Sequence, residues 1–122
     1  DDYVRLCADM MVADAVVAIA GEGKSEGYCL RDNGAFIGKC NLYDLITAPQ
    51  DQAIKRYLMS TPIYLKDNAS IMQSIEIASK FVGETIPVID QGTGHLVGVV
   101  SEADIFEAYL ATQNHVRDLE HG

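Results

Sequence analysis

The chain has 122 residues, of which 48% are hydrophobic and 22% charged, a composition typical of one compact globular domain rather than a disordered segment. Its net charge of −9 argues against duplex nucleic acid as a partner, because phosphate contacts need a basic face. No apolar run approaches the ~20 residues of a membrane span, and the opening DDYVRLC lacks the basic segment of a secretion signal. We therefore expect a cytoplasmic chain without membrane contact.

In chain order, apolar periodicity and turn residues predict a strand over 3–7, a helix over 10–21, strands over 27–31 and 35–40, and a helix over 41–48. Pro49 interrupts the helical pattern. It begins a linker, 49–60, that is predicted to contain a short helix.

The rest of the chain follows the same order. The predicted elements are a strand over 62–66, a helix over 71–81 capped by Asn68 or Ser70, strands over 85–90 and 95–100 around the turn QGTG, and a helix that follows Ser101. Pro87 favours an edge or bulged position for its strand, because proline cannot donate to the ladder.

The two halves align with each other. A shift of 59 places Val12 on Ile71, and after one inserted residue a shift of 60 places Asp44 on Asp104. The predicted fold class is mixed α/β, with two pseudo-symmetric strand–helix–strand–strand–helix repeats. Repeat 1 spans 1–48, the linker 49–60 and repeat 2 61–110, and 111–122 is a helix end or tail. Since ~60 residues are marginal alone, the repeats are expected to pack about a pseudo-twofold axis.

Three short segments of repeat 2 resemble the cystathionine-beta-synthase-type (CBS) domain, which occurs in tandem pairs called Bateman modules. They are LMSTP (58–62), IPVID (86–90) and the closing GVVSEAD (98–104). Repeat 1 is similar in layout and in IGKCNLYDL. It differs at Asn41, where serine or threonine is usual, and at Tyr28, where the family has proline.

The resemblance implies a cleft for an adenosine-containing ligand such as AMP, ADP, ATP, NAD or S-adenosylmethionine, and no required cofactor. The closing aspartate would accept hydrogen bonds from ribose hydroxyls, and the serine would lie near a phosphate at the helix N-terminus. Carried over residue by residue, the implied ligand contacts are Thr61, Ile63, Ile86, Pro87, Val100, Ser101 and Asp104 in repeat 2, and Tyr3, Val4, Tyr28, Cys40, Asn41 and Asp44 in repeat 1.

Several of these residues have a purely structural interpretation. Ser101 and Asp104 have the spacing of a capping box, and Asn41 is an equally good cap for its helix. Tyr28 fits either a stacking contact with a base or the core between the repeats. Strand alternation predicts a solvated Lys39 rather than a phosphate contact.

The pattern favours a regulatory ligand-sensing module over a ligand-free structural or dimerisation module. The family further implies a homodimer and a regulated enzyme or transporter as partner. An enzyme is not expected, because the sequence contains neither a nucleophile motif nor a P-loop. Cys7, Cys29 and Cys40 are predicted to be reduced, and the three histidines lack metal-ligand spacing, so no metal site is expected.

Overall fold

The computed structural model describes residues 3–58, 64–80 and 85–121, with side chains as far as residue 113. Repeat 1 consists of β1 (Val4–Cys7), α1 (Val12–Gly21), β2 (Glu26–Leu30), β3 (Phe36–Asn41) and α2 (Leu42–Ile46). A 3₁₀ helix (Ile54–Tyr57) lies in the linker. Repeat 2 consists of β4 (Leu65–Lys66), α3 (Ile71–Ala78), β5 (Ile86–Ile89), β6 (Leu96–Val100) and α4 (Glu102–His121).

Each repeat forms one three-stranded sheet, in the order β1-β2-β3 and β4-β5-β6. The first two strands of each sheet run parallel because a helix connects them, and the last two form an antiparallel hairpin. Gly34 and Gly94, with φ of 90° and 77°, supply the left-handed conformation that the two turns require. The predicted mixed α/β class and its element order are confirmed.

The prediction for Pro87 is half right. β5 is the central strand of its sheet, not an edge strand. A register shift between Val88 and Ile89 provides the expected bulge. The described pairs between β4 and β5 begin at Val88, one residue after Pro87. Pro87 therefore has no described partner in β4, and its lack of a backbone N–H removes no described bond between these two strands.

Reciprocal backbone hydrogen bonds join the two hairpins. Phe36 N–H donates to Gly94 O at 3.0 Å, and Leu96 N–H donates to Gly34 O at 3.2 Å. Phe36 corresponds to Leu96 and Gly34 to Gly94 under the shift of 60, so exchanging the two repeats converts one bond into the other. The pseudo-twofold axis therefore passes between the two hairpins. An apolar cluster lies beside this contact, with buried members Tyr28, Leu30, Ile89 and Leu96.

The linker completes the core of repeat 1. Ile54 is fully buried among side chains of α1 and α2, including Val12, Ile19 and Leu45. Among the described residues, the buried members of the corresponding core of repeat 2 are Leu65, Ile86 and Ile105. The helix predicted over 71–81 begins after Ser70, which forms a capping box with Gln73, and it ends at Ala78. Residue 81 lies outside the described residues.

Candidate functional site

The junction between β6 and α4 is held by a reciprocal pair of hydrogen bonds. Ser101 N–H donates to Asp104 Oδ2 at 2.9 Å, and Asp104 N–H donates to Ser101 Oγ at 3.1 Å. The bond from the Ser101 backbone, followed by that from its side chain, holds the pKa of Asp104 below its ordinary value. The predicted capping box is therefore confirmed. Asp104 is exposed, and its Oδ1 has no hydrogen-bond partner among the described residues.

The equivalent junction of repeat 1 is built differently. Asn41 caps α2 by accepting a bond from Tyr43 N–H at 2.8 Å. Asp44 is exposed in the first turn of α2, and within the described part of the chain its carboxylate takes no part in a capping box. The two aspartates thus occupy equivalent positions, but within the described residues only the Asp104 carboxylate is oriented by a hydrogen-bond partner.

The apolar residues of the predicted sites lie mostly beneath the surface. Ile86 and Cys40 are fully buried, Pro87 is nearly so, and Val4 is 6% exposed. Val100 is half-buried beside Ser101. Thr61 and Ile63 lie outside the described residues.

Tyr28 belongs to the core between the repeats. Its side chain is only 1% exposed, and its ring packs edge-to-face on Tyr3 at 5.7 Å between centroids and tilted against Phe36 at 6.1 Å. Of the two predicted roles the structure supports core filling, because no face of this ring is open to a base. Burial is also the largest cause of the raised pKa of its phenol.

Lys39 corrects another prediction. It is buried rather than solvated, and its Nζ lies 2.7 Å from Glu26 Oε2, with both side chains 5% exposed. The β2–β3 register pairs Lys39 directly with Tyr28, so both side chains leave the sheet on the face toward repeat 2. The register follows from the hairpin turn, which can be predicted from the sequence. It could therefore have shown that Lys39 lies on the same face of the sheet as Tyr28.

Thr85 of repeat 2 joins this ion pair across the pseudo-twofold axis. Glu26 Oε1 accepts bonds from Thr85 N–H at 3.2 Å and from its hydroxyl at 3.0 Å. Thr85 O accepts from Lys39 Nζ at 3.2 Å and from the Tyr28 hydroxyl at 3.1 Å. Tyr28 and Thr85 also bond through their hydroxyls. We call Glu26, Tyr28, Lys39 and Thr85 the inter-repeat polar cluster.

The cluster ties the start of β5 to repeat 1. Glu26 and Thr85 are equivalent residues under the shift of 59, so the contact joins the same position of both repeats. Every backbone polar group of Thr85 is bonded to repeat 1, immediately before Ile86 and Pro87. Sequence reasoning missed Glu26 and Thr85, because neither belongs to a motif and their proximity depends on the packing of the repeats.

Cationic side chains are scarce beside the repeat 2 junction. Lys39 is committed to Glu26, and the first turn of α4 contains the acidic Glu102 and Asp104. Lys55 and Arg56 are exposed on the 3₁₀ helix. The electrostatics of the described site therefore suit a ligand of low negative charge better than a polyphosphate.

Cys29 and Cys40 are buried thiols, and burial is the main cause that raises their pKa to about 11 and about 12. Cys7 is exposed. Among the described residues, no group of three or more His, Cys, Asp or Glu side chains could hold a metal ion. In the same residues, no helix is both long and apolar enough to cross a membrane.

Surface cavities also lie at the opposite end of the sheets, where the parallel strands end. One of about 560 Å³ is lined in part by Lys66, Asn68 and Gln91. Its counterpart in repeat 1, of about 460 Å³, is lined in part by Cys7 and Asp32. Neither cavity is lined by a predicted ligand residue.

Comparison with known sequences gives a family match and one curated relative. Residues 54–111 match the family model of the CBS domain. Over 100 residues the chain is 29% identical to the A-adding tRNA nucleotidyltransferase of Aquifex aeolicus, which covers 80% of this chain and 12% of that protein. The chain thus spans about an eighth of the length of this relative.

Solved structures share the whole architecture. A CBS domain pair/ACT domain protein of Thermotoga maritima superimposes with a TM-score of 0.78 at 19% identity, covering 91% of both chains. The cytosolic domain of the Mg²⁺ channel MgtE in complex with ATP matches at 0.79 and 20% identity, covering 88% of this chain and 45% of that one. CBSX2, a CBS-pair protein of Arabidopsis thaliana, matches in its complex with AMP at 0.74 and 16% identity, covering 92% and 90%.

Proposed function

We propose that this chain, which is a CBS domain pair by its fold and by the family match of its second repeat, is a regulatory and non-catalytic module for an adenosine-type ligand. The ligand lies beside the β6–α4 junction of repeat 2. Binding shifts the relative orientation of the repeats or their packing in a homodimer, by no more than the difference in ligand affinity between the two states.

The exposed Asp104 carboxylate is the observation that carries this proposal. The capping box fixes it at the N-terminus of α4 while Oδ1 still points to no described partner. A carboxylate oxygen held in place accepts a ribose hydroxyl well, because the bond to a charged acceptor is stronger than a neutral one. CBS pairs of the same fold have been solved with AMP and with ATP, which supports the choice of ligand class.

The charge distribution favours adenosine or AMP over ATP. Lys39 is paired inside the inter-repeat polar cluster, and Glu102 adds a negative charge beside Asp104. A triphosphate would meet this acidic turn with up to four negative charges, whereas AMP has about two. Lys55 and Arg56 are the described cations we expect nearest to a phosphate.

One site per chain is the form of the proposal that the difference between the two helix N-termini supports. The proposed contacts in repeat 2 are Thr61, Ile63, Ile86, Pro87, Val100, Ser101 and Asp104. In repeat 1 the Tyr28 ring is enclosed by Tyr3 and Phe36, and the Asp44 carboxylate is held by no described hydrogen bond. Tyr3, Val4, Asn41 and Asp44 then lack a base platform, so we assign no second site to them.

A ligand-free structural or dimerisation module is the second candidate. The inter-repeat polar cluster and the Tyr28 ring already fill the contact between the repeats, and Asp104 already has a structural role in its cap. These observations are what a scaffold without a ligand requires, so the two candidates must be separated by measurement.

The test is the thermal midpoint of the protein with adenosine, AMP and ATP, together with two variants. A ligand at 100 times its Kd adds about 2.7 kcal/mol of stability, which raises the midpoint by several degrees. Asp104→Glu keeps the serine–acid capping box but moves the carboxylate by one methylene, so the shift is expected to disappear while the stability stays. Gln73→Ala is the control, because it removes the capping box that Ser70 and Gln73 form at the start of α3, away from the proposed ligand. It is expected to lower the stability but to keep the ligand-induced rise in the midpoint.

The outcomes separate the candidates. A shift with AMP that Asp104→Glu abolishes and Gln73→Ala retains supports the sensor. The scaffold is supported if none of the three compounds changes the thermal midpoint and the substitution Asp104→Ala lowers it.

The partner of the module is also part of the proposal. Because the chain matches only 12% of its curated relative, the activity of that enzyme is not assigned to these residues. We propose that the module regulates an enzyme or transporter and that it works in the cytoplasm, as expected from its composition.

A further inference from the structure

Asn33 and Gly34 lie at the tip of the β2–β3 hairpin. Gly34 has a φ of 90°, and its N–H donates to Arg31 O at 2.9 Å, which closes the turn. Asn33 is exposed, and its Oδ1 accepts a bond from Ala35 N–H at 3.0 Å. When glycine follows asparagine, the backbone nitrogen of the glycine can reach the side-chain carbonyl of the asparagine, because glycine has no Cβ to hinder the approach.

The contacts of Asn33 favour attack on its side-chain amide. The bond from Ala35 N–H ends on the oxygen that becomes negatively charged when a nucleophile adds to Cγ, so it stabilises that charge. Within the described residues, the Asn33 amide nitrogen, which is the leaving group, has no hydrogen-bond partner. The bond from Gly34 N–H to Arg31 O slows the attack, but bonds of this kind at an exposed hairpin tip open locally.

We propose that Asn33–Gly34 is a site of spontaneous deamidation through a cyclic succinimide. The Gly34 nitrogen loses its proton to solvent and bonds to Asn33 Cγ, and the side-chain nitrogen leaves as ammonia. Water then opens the ring. Cleavage at Cγ gives aspartate, whereas cleavage at the main-chain carbonyl gives isoaspartate, in which the backbone runs through Cβ and Cγ. Nothing is oxidised or reduced, and water is the co-reactant.

Two other described asparagines share parts of this geometry without the glycine. Asn41 Oδ1 also accepts a bond from the N–H two residues further on, at 2.8 Å, but Leu42 follows it. Asn68 is also exposed, and the next N–H, of Ala69, also donates to the carbonyl three residues back, at 3.0 Å. They are internal controls for the turn and for the bond to Oδ1, so a reaction at Asn33 alone is attributable to its glycine.

Isoaspartate at position 33 would alter the contact between the two hairpins. Gly34 O accepts from Leu96 N–H at 3.2 Å, and Phe36 N–H donates to Gly94 O at 3.0 Å. His95 also packs near Gly34, since a Cβ on this glycine would lie 3.6 Å from His95 Nδ1. Isoaspartate lengthens the backbone directly before Gly34 and so displaces the carbonyl that Leu96 uses. Deamidation therefore loosens the contact between the repeats, whether or not the β6–α4 junction binds a ligand.

Repeat 2 supplies a matched unreactive residue for this position. Thr93 and Gly94 correspond to Asn33 and Gly34 under the shift of 60, and Gly94 is also left-handed, with a φ of 77°. The threonine side chain has no carbonyl that the glycine nitrogen could attack. Asn33→Thr is therefore the control variant, because the chain already folds with threonine at the equivalent place in its second hairpin.

The test is peptide mapping by mass spectrometry after the folded protein has been incubated in mildly alkaline buffer at physiological temperature. We expect the peptide with Asn33 to convert to aspartate and isoaspartate forms while the peptides with Asn41 and Asn68 stay unchanged. Methyl transfer by an isoaspartate-specific methyltransferase identifies the isoaspartate, and Asn33→Thr is expected to lose this signal. The proposal is overturned if Asn33 converts no sooner than Asn41 and Asn68, or if Asn33→Thr accepts as much methyl as the wild type.

Amide hydrogen exchange tests the effect on the contact, with the isoaspartate form first separated by ion-exchange chromatography. We expect this form to lose protection at Phe36 and Leu96. Asn33→Asp is expected to keep the protection, because it has the added charge but a normal backbone. Unchanged protection in the isoaspartate form would overturn the proposed loosening. Equal loss in Asn33→Asp would overturn the role of the lengthened backbone.

Discussion

Lys39→Met tests whether the inter-repeat polar cluster stabilises the fold. The substitution keeps an unbranched side chain of similar length but removes the ammonium group 2.7 Å from Glu26 Oε2. Glu26 is then left as a buried carboxylate without its cation, because its side chain is only 5% exposed.

The expected loss follows from the burial of the pair. Removing one partner of a buried ion pair costs about 3–5 kcal/mol, since the remaining charge is uncompensated. Glu26 keeps the two bonds from Thr85, so we expect the lower end, about 3 kcal/mol. For a chain of this size that loss lowers the thermal midpoint by about 12 °C.

Urea denaturation is the assay, with the free energy of unfolding extrapolated to water and the slope compared between variants. Glu26→Gln/Lys39→Met keeps the amide oxygen as acceptor for Thr85 and removes both charges. We expect the double variant to recover most of the lost stability, because no unpaired charge is then buried. Lys24→Met, at an exposed position, is the matched control and is expected to change stability by less than about 0.5 kcal/mol.

The reasoning is refuted if Lys39→Met costs less than about 1 kcal/mol, the range of a surface pair. It is equally refuted if the double variant is no more stable than the single one. Either result would mean that the Lys39 ammonium group does not compensate a buried charge on Glu26.

Ile54→Ala is expected to cost about 2–5 kcal/mol in a urea titration, because the fully buried side chain would leave a cavity in the core of repeat 1; a loss below about 1 kcal/mol would show that the linker is not part of that core. Alkylation at pH 8 followed by mass spectrometry is expected to label Cys7 in the native protein. It should reach Cys29 and Cys40 only after unfolding, since burial raises their pKa to about 11 and about 12; rapid native labelling of all three thiols would contradict the buried positions. The lowered pKa of Asp104 means that its carboxylate stabilises the fold above its ordinary pKa of about 3.9 and loses this effect as the pH falls through the lower folded value. The difference in thermal midpoint between the wild type and Asp104→Asn should therefore shrink below about pH 4, and a constant difference down to pH 2 would contradict the capping role.

Local sequence patterns were sufficient to predict the helices, the strands and the helix caps. The strand and helix order of both repeats follows from apolar periodicity, and turn glycines such as Gly34 and Gly94 have the positive φ that their places in the hairpins require. Ser101 and Asp104 form a capping box because the three-residue spacing that creates it is local. Boundaries moved by one to three residues, as for α3, which was predicted to residue 81 and ends at Ala78.

The candidate site was predictable only in part. The motif residues could be identified from GVVSEAD and its counterpart in repeat 1. The solvent exposure of each side chain could not be predicted from these motifs. Tyr28 and Cys40 were predicted ligand contacts, but Tyr28 is buried between the repeats and Cys40 is buried in the core of repeat 1. Burial of this kind depends on residues far away in the chain, which no local pattern reports.

The sequence by itself determined the duplicated unit, its mixed α/β class and the two junctions, because periodicity, turns and caps act between residues only a few positions apart. Only the tertiary structure decided that Lys39 is buried on Glu26, that Thr85 joins them, and that the linker completes the core of repeat 1. The physical reason is the same in each case. These contacts connect segments tens of residues apart, and their stability comes from burial that exists only once the repeats have packed.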